Sequence, residues 1–313
     1  MPWRDEITSM DERLWLQRVF LDLGSQMRWS FLPPLMVYFA AGVSGLTSVV
    51  GAFFLKDYLD LSAEFIAGLA FWAGLPWILK VPLGHVVDLF WRWKGLLILL
   101  GAGLITLSLL IMFGLVSRPS EMRAIFPLAT WYVIALLLAP SGYAIQDIVA
   151  DAMTVEAVPR TNDDGQPLSE ANSRAMHTTM QTLGRIAIIS GFVSVAAVNI
   201  WIFTGAEALA REARLDLYAR VYLTALAIPV ISVSGMVLHS FIQRCRASQD
   251  MAHQGPDKKT EVNWPILGGG LVFVVLSIVL GTSDLVCAGV SETLCMRLSP
   301  CRFDGSFVEP FWV

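Results

Sequence analysis

Seven long stretches of the chain are almost free of charge, and their length limits the fold more than any other feature. The first, residues 33–55, contains no charged residue. As a helix rising about 1.5 Å per residue it would be about 35 Å long, enough to cross a hydrocarbon core of about 30 Å. The other stretches are residues 65–87, 95–117, 124–146, 175–204, 221–243 and 264–283. We therefore predict seven membrane spans.

Helices are predicted over strands because lipid offers the backbone no hydrogen-bond partners. A helix satisfies its N–H and C=O groups within one segment, and these stretches are about twice as long as the strands of a membrane barrel. Composition agrees, since 55% of the residues are hydrophobic, 15% are charged and the mean hydropathy is +0.61. The predicted fold class is all-α, a polytopic bundle of helices with the lipid bilayer as a partner.

Charge and cysteine usage exclude several classes of function. The net charge of −4 gives no reason to predict a nucleic-acid partner. The four cysteines have no zinc-binding spacing, so we predict no metal site and no cofactor. Lys and Arg are more numerous on the segments that share a side with the N-terminus. By the positive-inside rule the N-terminus is predicted to be cytoplasmic, in an inner or plasma membrane.

Two cations fall within predicted spans, where an uncompensated charge costs at least about 2.5 kcal/mol. Arg185 lies near the middle of the fifth span, and Gln181 shares its helix face. Arg185 is predicted either to form an internal ion pair or to contact substrate. Lys80 is nearer the end of the second span, where it would pair with Asp147, bind an anion or extend to the interface. Pairing with Asp147 is the preferred interpretation because the two residues have comparable depth.

Three acids follow the uncharged part of the fourth span. Asp147 and Asp151 are four residues apart, so on a helix they share a face and repel each other. Asp151 and Glu156 lie nearer the water, at a helix end where acids oppose the helix dipole and need cationic neighbours. The turn between spans two and three offers Arg92 and Lys94, beside Asp88. We predict a cytoplasmic charge latch built from these groups.

Three stretches carry a resemblance to a known family. FFLKDYLDLS, LPWILKVPLGHVVDLFWRWK and QDIVADAMTVEAVPR resemble the folate–biopterin transporter family of the major facilitator superfamily, in the same order and at the same spans. The resemblance runs from about residue 33 to about residue 282. Gly84 and Asp88 also match the start of the superfamily's loop between helices two and three, with Arg92 and Lys94 as its basic residues.

The resemblance implies an alternating-access carrier with two six-helix halves around a central site. Its substrates would be folates, pterins or related small metabolites, often with proton coupling. Lys80, Asp147, Asp151 and Glu156 fall on the matching motifs. Arg185 is added from the argument on burial, because a guanidinium suits a carboxylate or phosphate.

The chain departs from the family pattern after its seventh span. The family has about twelve helices, and the last residues contain three of the four cysteines without clear periodicity. We expect a truncated transporter half whose end reflects a changed reading frame or a fusion, with a partner chain supplying the second half. The predicted divisions are a cytoplasmic N-terminal segment 1–32, a six-helix half 33–243, a cytoplasmic linker 244–263, a seventh span 264–283 and an atypical tail 284–313.

The predicted function is a secondary active transporter, or a remnant of one, for folate, a pterin or a related small anionic metabolite. One alternative is a non-transporting membrane interaction subunit. A second alternative, a membrane-embedded enzyme, is disfavoured because the chain contains no HExxH, GxSxG or paired-histidine pattern. We therefore predict that the chain is not an enzyme.

Overall fold

A computed structural model describes residues 27–54, 63–89, 93–159, 168–205, 211–249 and 263–280, together with Gly24 and Gln166. Within these residues all regular structure is helical. A 3₁₀ turn at Trp29–Phe31 leads into the first helix. The helices are α1 Leu32–Val43, α2 Leu46–Phe54, α3 Ala63–Ile78, α4 Lys80–Leu89, α5 Lys94–Ser117, α6 Pro119–Ile125, α7 Leu128–Ala157, α8 Glu170–Phe203, α9 Arg211–Ala225, α10 Ala227–Gln249 and α11 Trp264–Leu280.

Four helical segments in the described residues are long and apolar enough to cross a membrane. They are α5, α7, α8 and the run Ala213–Cys245, which joins α9 to α10. A fifth span would be the bent pair Gly68–Ile78 and Pro82–Leu89, whose two parts meet at 42°. Trp29–Val43 and Trp264–Leu280 are shorter apolar helices. The all-helical membrane architecture is therefore present, and the prediction of seven spans stays a prediction.

Local chemistry explains two of the breaks inside predicted spans. Pro82 has no N–H to donate to the carbonyl four residues earlier, at Ile78, which is where α3 ends. The first predicted span is interrupted because α1 ends at Val43. There the Ser44 backbone N–H and hydroxyl both donate to the Ala41 carbonyl, at 3.2 and 2.6 Å, which tightens the last turn.

Two predicted boundaries are corrected at their polar ends. The fourth helix continues past residue 146 to Ala157, so Asp147, Asp151 and Glu156 all lie on α7. α8 begins at Glu170, five residues before the predicted span, because the Ser169 side chain accepts the Asn172 N–H and caps the helix. The tail 284–313 and most of the N-terminal segment and the linker lie outside the described residues.

Glycines let two pairs of helices approach closely enough for backbone contact. A Cβ added at Gly142 of α7 would lie 2.6 Å from the Gly101 carbonyl of α5. A Cβ added at Gly191 of α8 would lie 2.7 Å from the Phe39 carbonyl and 2.8 Å from the Cα of Gly42, both on α1. Membrane helices commonly pack through small residues in this way. The two contacts join α5 to α7 and α1 to α8, and α1 also packs on α7, which brings the four helices together.

α8 is much less covered than the other long helices. Only 11% of its most apolar stretch is buried, compared with 44% for α5 and 39% for α7. Large apolar side chains such as Ile189, Phe192 and Trp201 are exposed along it. One side of α8 packs on α1, and its outer apolar side has no cover among the described residues.

Candidate functional site

One lysine holds together the two acids that sequence spacing places on a single face of α7. Lys80, the first residue of α4, brings its Nζ to 2.5 Å from Asp147 Oδ2 and 2.7 Å from Asp151 Oδ2. The ammonium therefore offsets the repulsion between carboxylates one helical turn apart. The predicted contact between Lys80 and Asp147 is present, and Asp151 belongs to the same group rather than to the latch.

A tyrosine on α1 is a second hydrogen-bond partner of Asp151. The Tyr38 hydroxyl donates to Asp151 Oδ1 at 2.5 Å. Gly184 of α8 lets the Tyr38 ring sit there, because a Cβ at residue 184 would lie 3.0 Å from the ring. Four helices thus meet at this group: α1 supplies Tyr38, α4 supplies Lys80, α7 supplies the acids and α8 supplies the opposite wall.

These side chains line an open cleft of about 310 Å³. Its wall also includes Gln181 and Arg185, both exposed and one turn apart on α8. Asp147 is 13% exposed, whereas Asp151 is 48% exposed, so water in the cleft reaches one acid more readily than the other. The volume lies at the lower end of the range typical of small-molecule sites, about 300 to 1,000 Å³.

Arg185 differs from the other charges of the cleft in having no ion-pair partner among the described residues. No described carboxylate lies within 4.0 Å of its guanidinium, while both acids of the cleft are bound to Lys80. The described cleft charges are therefore two carboxylates, one ammonium bound to both, and one guanidinium that interacts with Asp147 only beyond ion-pair distance. Of the two roles predicted for Arg185, the internal ion pair is absent from the described part of the chain.

A second ionic cluster lies at the end of α7, and it is more enclosed. Lys94 Nζ lies 2.6 Å from Glu156 Oε2, which joins the start of α5 to the end of α7. Two residues of α10 approach the same carboxylate: the Gln243 Nε2 donates to Oε1 at 3.1 Å, and His239 Nε2 lies 3.4 Å from Oε2. We call these four residues the Glu156 cluster.

Only one contact of the predicted cytoplasmic charge latch is therefore present among the described residues. Lys94 and Glu156 meet as predicted, whereas Asp151 pairs with Lys80, whose long side chain spans one helical turn. Asp88 is exposed and forms no ion pair within the described residues. A Cβ at Gly84 would meet open space, so packing does not require glycine there. Arg92 lies outside the described residues.

Sequence reasoning missed Tyr38, His239 and Gln243. Tyr38 is separated from Asp151 by 113 positions and Gln243 from Glu156 by 87. A signal was present for the second pair, since His239 and Gln243 are four residues apart on α10 and therefore share a face. In the part of the chain that the structure describes, no group of three His, Cys, Asp or Glu side chains could hold a metal ion.

Comparison with known proteins gives one informative similarity. The chain is 33% identical over 141 residues to a folate-biopterin transporter of Synechocystis sp.. The match covers 44% of this chain and 26% of that protein, so the chain spans about a quarter of its relative's length. No protein-family profile matches the chain, and no solved structure matches it. The similarity and the apolar helices fit a membrane transporter, and the chain is an integral, multi-pass membrane protein.

Proposed function

We propose that the chain is a secondary active transporter, or a part of one, for folate, a pterin or a related small anionic metabolite. The observation that carries the proposal is the unpaired Arg185 in a water-accessible cleft beside the bound acids of α7. A guanidinium that is exposed in a cleft and has no ion-pair partner among the described residues can bind a carboxylate or phosphate of a substrate in bidentate fashion. The similarity to a transporter with folate and biopterin in its name supports the substrate class.

Transport would proceed by alternating access with proton coupling through the acids on α7. Asp151 is the more exposed acid and is bound by both Tyr38 and Lys80. When it is protonated, it ceases to hold the ammonium, and Lys80 remains with Asp147. This rearrangement would change how α1, α4 and α7 are held together, which is what a bundle needs if the cleft is to open to either side.

The proposed location is an inner or plasma membrane, with the N-terminus and the Glu156 cluster on the cytoplasmic side. We also propose that the uncovered apolar side of α8 packs against a second set of helices, supplied by a partner chain or by further sequence. The exposed Ile189, Phe192 and Trp201 favour such a contact. The same observation favours the second candidate function, a membrane interaction subunit that does not transport.

The test is uptake of labelled folate and labelled pterin into vesicles containing the chain, with and without a pH gradient. Arg185→Gln is expected to abolish uptake, because it removes the cation that binds the substrate anion. Arg174→Gln is the matched control: Arg174 lies on the same helix but pairs with Glu170 on the exposed surface, so uptake should be unchanged.

Equilibrium binding of labelled folate to the purified chain separates the two candidate functions. A transporter, or one half of one, would bind folate through Arg185 even where uptake needs a partner. An interaction subunit would bind neither folate nor pterin. Binding or uptake that Arg185→Gln leaves unchanged would overturn the proposed site.

A further inference from the structure

A second cavity lies on the outside of the bundle, between α5 and α10, well away from the charged cleft. It consists of two adjoining pockets of about 890 and 400 Å³. Leu99, Val233, Val237 and Phe241 line both pockets, so the two form one continuous groove. The larger pocket is almost entirely apolar, and none of the residues of the charged cleft lines either part.

The groove lies between two candidate membrane spans, where an apolar occupant is required. Both of its walls belong to candidate membrane spans, Lys94–Ser117 and Ala213–Cys245. Val230, Val237 and Phe241 remain 64–66% exposed along it, a large apolar surface that water would solvate poorly. α11 does not cover it, because α11 packs on α4: the Asn263 N–H donates to His85 Nε2 at 2.9 Å, and Gly270 faces Pro82.

Among the described residues that line the groove, one is a cation, and it lies at one end. Arg244 lines the smaller pocket near the end of α10, its side chain is exposed, and no carboxylate in the described part of the chain lies within 4.0 Å of its guanidinium. Ser240, the other polar side chain of that pocket, is satisfied by donating to the Met236 carbonyl at 3.0 Å. An apolar channel with one cation at its membrane end matches an amphiphile with one anionic head.

We propose that this groove binds one anionic phospholipid, with an acyl chain between α5 and α10 and the phosphate at Arg244. An apolar transmembrane helix would fill the same channel but would bring no charge to Arg244. The lipid would act as a packing element of the outer wall. The site is independent of the transport function proposed above.

The chain offers a substitution that fills the groove without disturbing the bundle. Gly103 of α5 lines the larger pocket, and a Cβ there would meet no atom within 4 Å. Gly103→Leu therefore places a side chain in the channel at little cost in packing. Gly268→Leu on α11 is the matched control, because Gly268 also faces open space but lies on another helix, outside the groove.

The experiment is native mass spectrometry of the purified, delipidated full chain after incubation with dioleoyl-phosphatidylglycerol or dioleoyl-phosphatidylcholine. The wild-type chain should retain one phosphatidylglycerol about fivefold more than phosphatidylcholine, the factor that one basic side chain contributes at an anionic surface. Arg244→Gln should lower phosphatidylglycerol retention to the phosphatidylcholine level. Gly103→Leu should lower retention of both lipids, and Gly268→Leu should change neither.

Equal retention of the two lipids by the wild-type chain would overturn the role of Arg244. Unchanged retention in Gly103→Leu, or an equal loss in Gly268→Leu, would show that the lipid binds elsewhere. Because Arg244 is exposed at a helix end, the Arg244→Gln variant should fold normally. It therefore still tests the proposal if Gly103→Leu is poorly produced. A host membrane protein that copurifies with the chain and occupies the groove in place of lipid would also contradict the proposal.

Discussion

Two ionic groups lie along α7, one at Asp147 and Asp151 and the other at Glu156. Asp151 and Glu156 are about one and a half helical turns apart, and their charges are compensated in different ways. At the charged cleft, the Lys80 ammonium binds two carboxylates, and Arg185 lies beside them without an ion-pair partner among the described residues. At the Glu156 cluster, one carboxylate is surrounded by Lys94, His239 and Gln243 from two other helices. The first group faces a cleft, whereas the second lies in a contact between helices.

The difference indicates different roles. Breaking an enclosed ion pair leaves a charge without solvent, so such groups resist change and hold elements in place. A partly exposed ionic group with a cation outside its ion pairs can bind a ligand or a proton at a lower cost in free energy than an enclosed ion pair can. We therefore propose ligand binding at the cleft and helix docking at the Glu156 cluster, and three substitutions test that division.

Lys80→Ala should have the largest effect, because it leaves Asp147 and Asp151 facing each other. We expect uptake to fall to background and the free energy of unfolding to fall by about 2 to 3 kcal/mol, somewhat less than for a fully buried pair because Lys80 is 34% exposed. Thermal unfolding in detergent and vesicle uptake measure the two effects. Adding Asp147→Asn and Asp151→Asn should restore stability, since the repulsion is gone, but not uptake.

That triple variant is the informative control for Lys80. If it recovered uptake as well as stability, Lys80, Asp147 and Asp151 would have a structural role only, and proton coupling would not depend on them. A swap of Lys80 with Asp147 alone is a weaker test, because Lys80 also pairs with Asp151 at 2.7 Å.

Glu156→Gln should have an intermediate effect that falls mainly on stability. The amide keeps an acceptor for its neighbours but loses the charge that Lys94 and His239 approach, which we expect to cost about 1 to 2 kcal/mol. Uptake per folded molecule should change less than twofold, as measured by uptake normalised to folded protein. A complete loss of uptake at normal stability would place Glu156 in the transport step and contradict the division.

Tyr38→Phe should have the smallest effect on stability. It removes one hydrogen bond to Asp151, which keeps Lys80 and solvent as partners, so about 1 kcal/mol is expected. Uptake should fall several-fold, and its dependence on the pH gradient should change because the Tyr38 hydroxyl no longer binds the Asp151 carboxylate. An unchanged pH dependence would separate Asp151 from proton coupling.

The sequence predicted the contact between Lys80 and Asp147 because depth in a membrane can be counted along each span. It did not predict that Asp151 joins them, since depth alone placed Asp151 at the water-facing end of the helix. The lysine side chain is long enough to reach both acids, which are one helical turn apart. The contact of Tyr38 depends on which helix faces meet, and a hydrophobic stretch that is apolar all round gives no such signal. The spacing of His239 and Gln243 shows that they share a face but not which carboxylate they approach.

The predicted spans end where charge begins, and α7 continues beyond its apolar stretch to Ala157. Its acids were predicted to lie on the span and at the helix end, and they are bound by side chains of α1, α4, α5 and α10. The break after Val43 was not predicted, since an uncharged stretch shows no interruption and the Ser44 hydrogen bonds to Ala41 are local.

The division between the two groups is tested most directly by chemical accessibility in the membrane. In a chain with its cysteines replaced by serine, Gln181→Cys in the cleft and His239→Cys in the Glu156 cluster would be exposed to an anionic, membrane-impermeant thiosulfonate. The account predicts rapid labelling at residue 181, slowed by folate, and little labelling at residue 239, where the side chain is buried. Labelling at similar rates, or a residue 181 that never reacts, would contradict it.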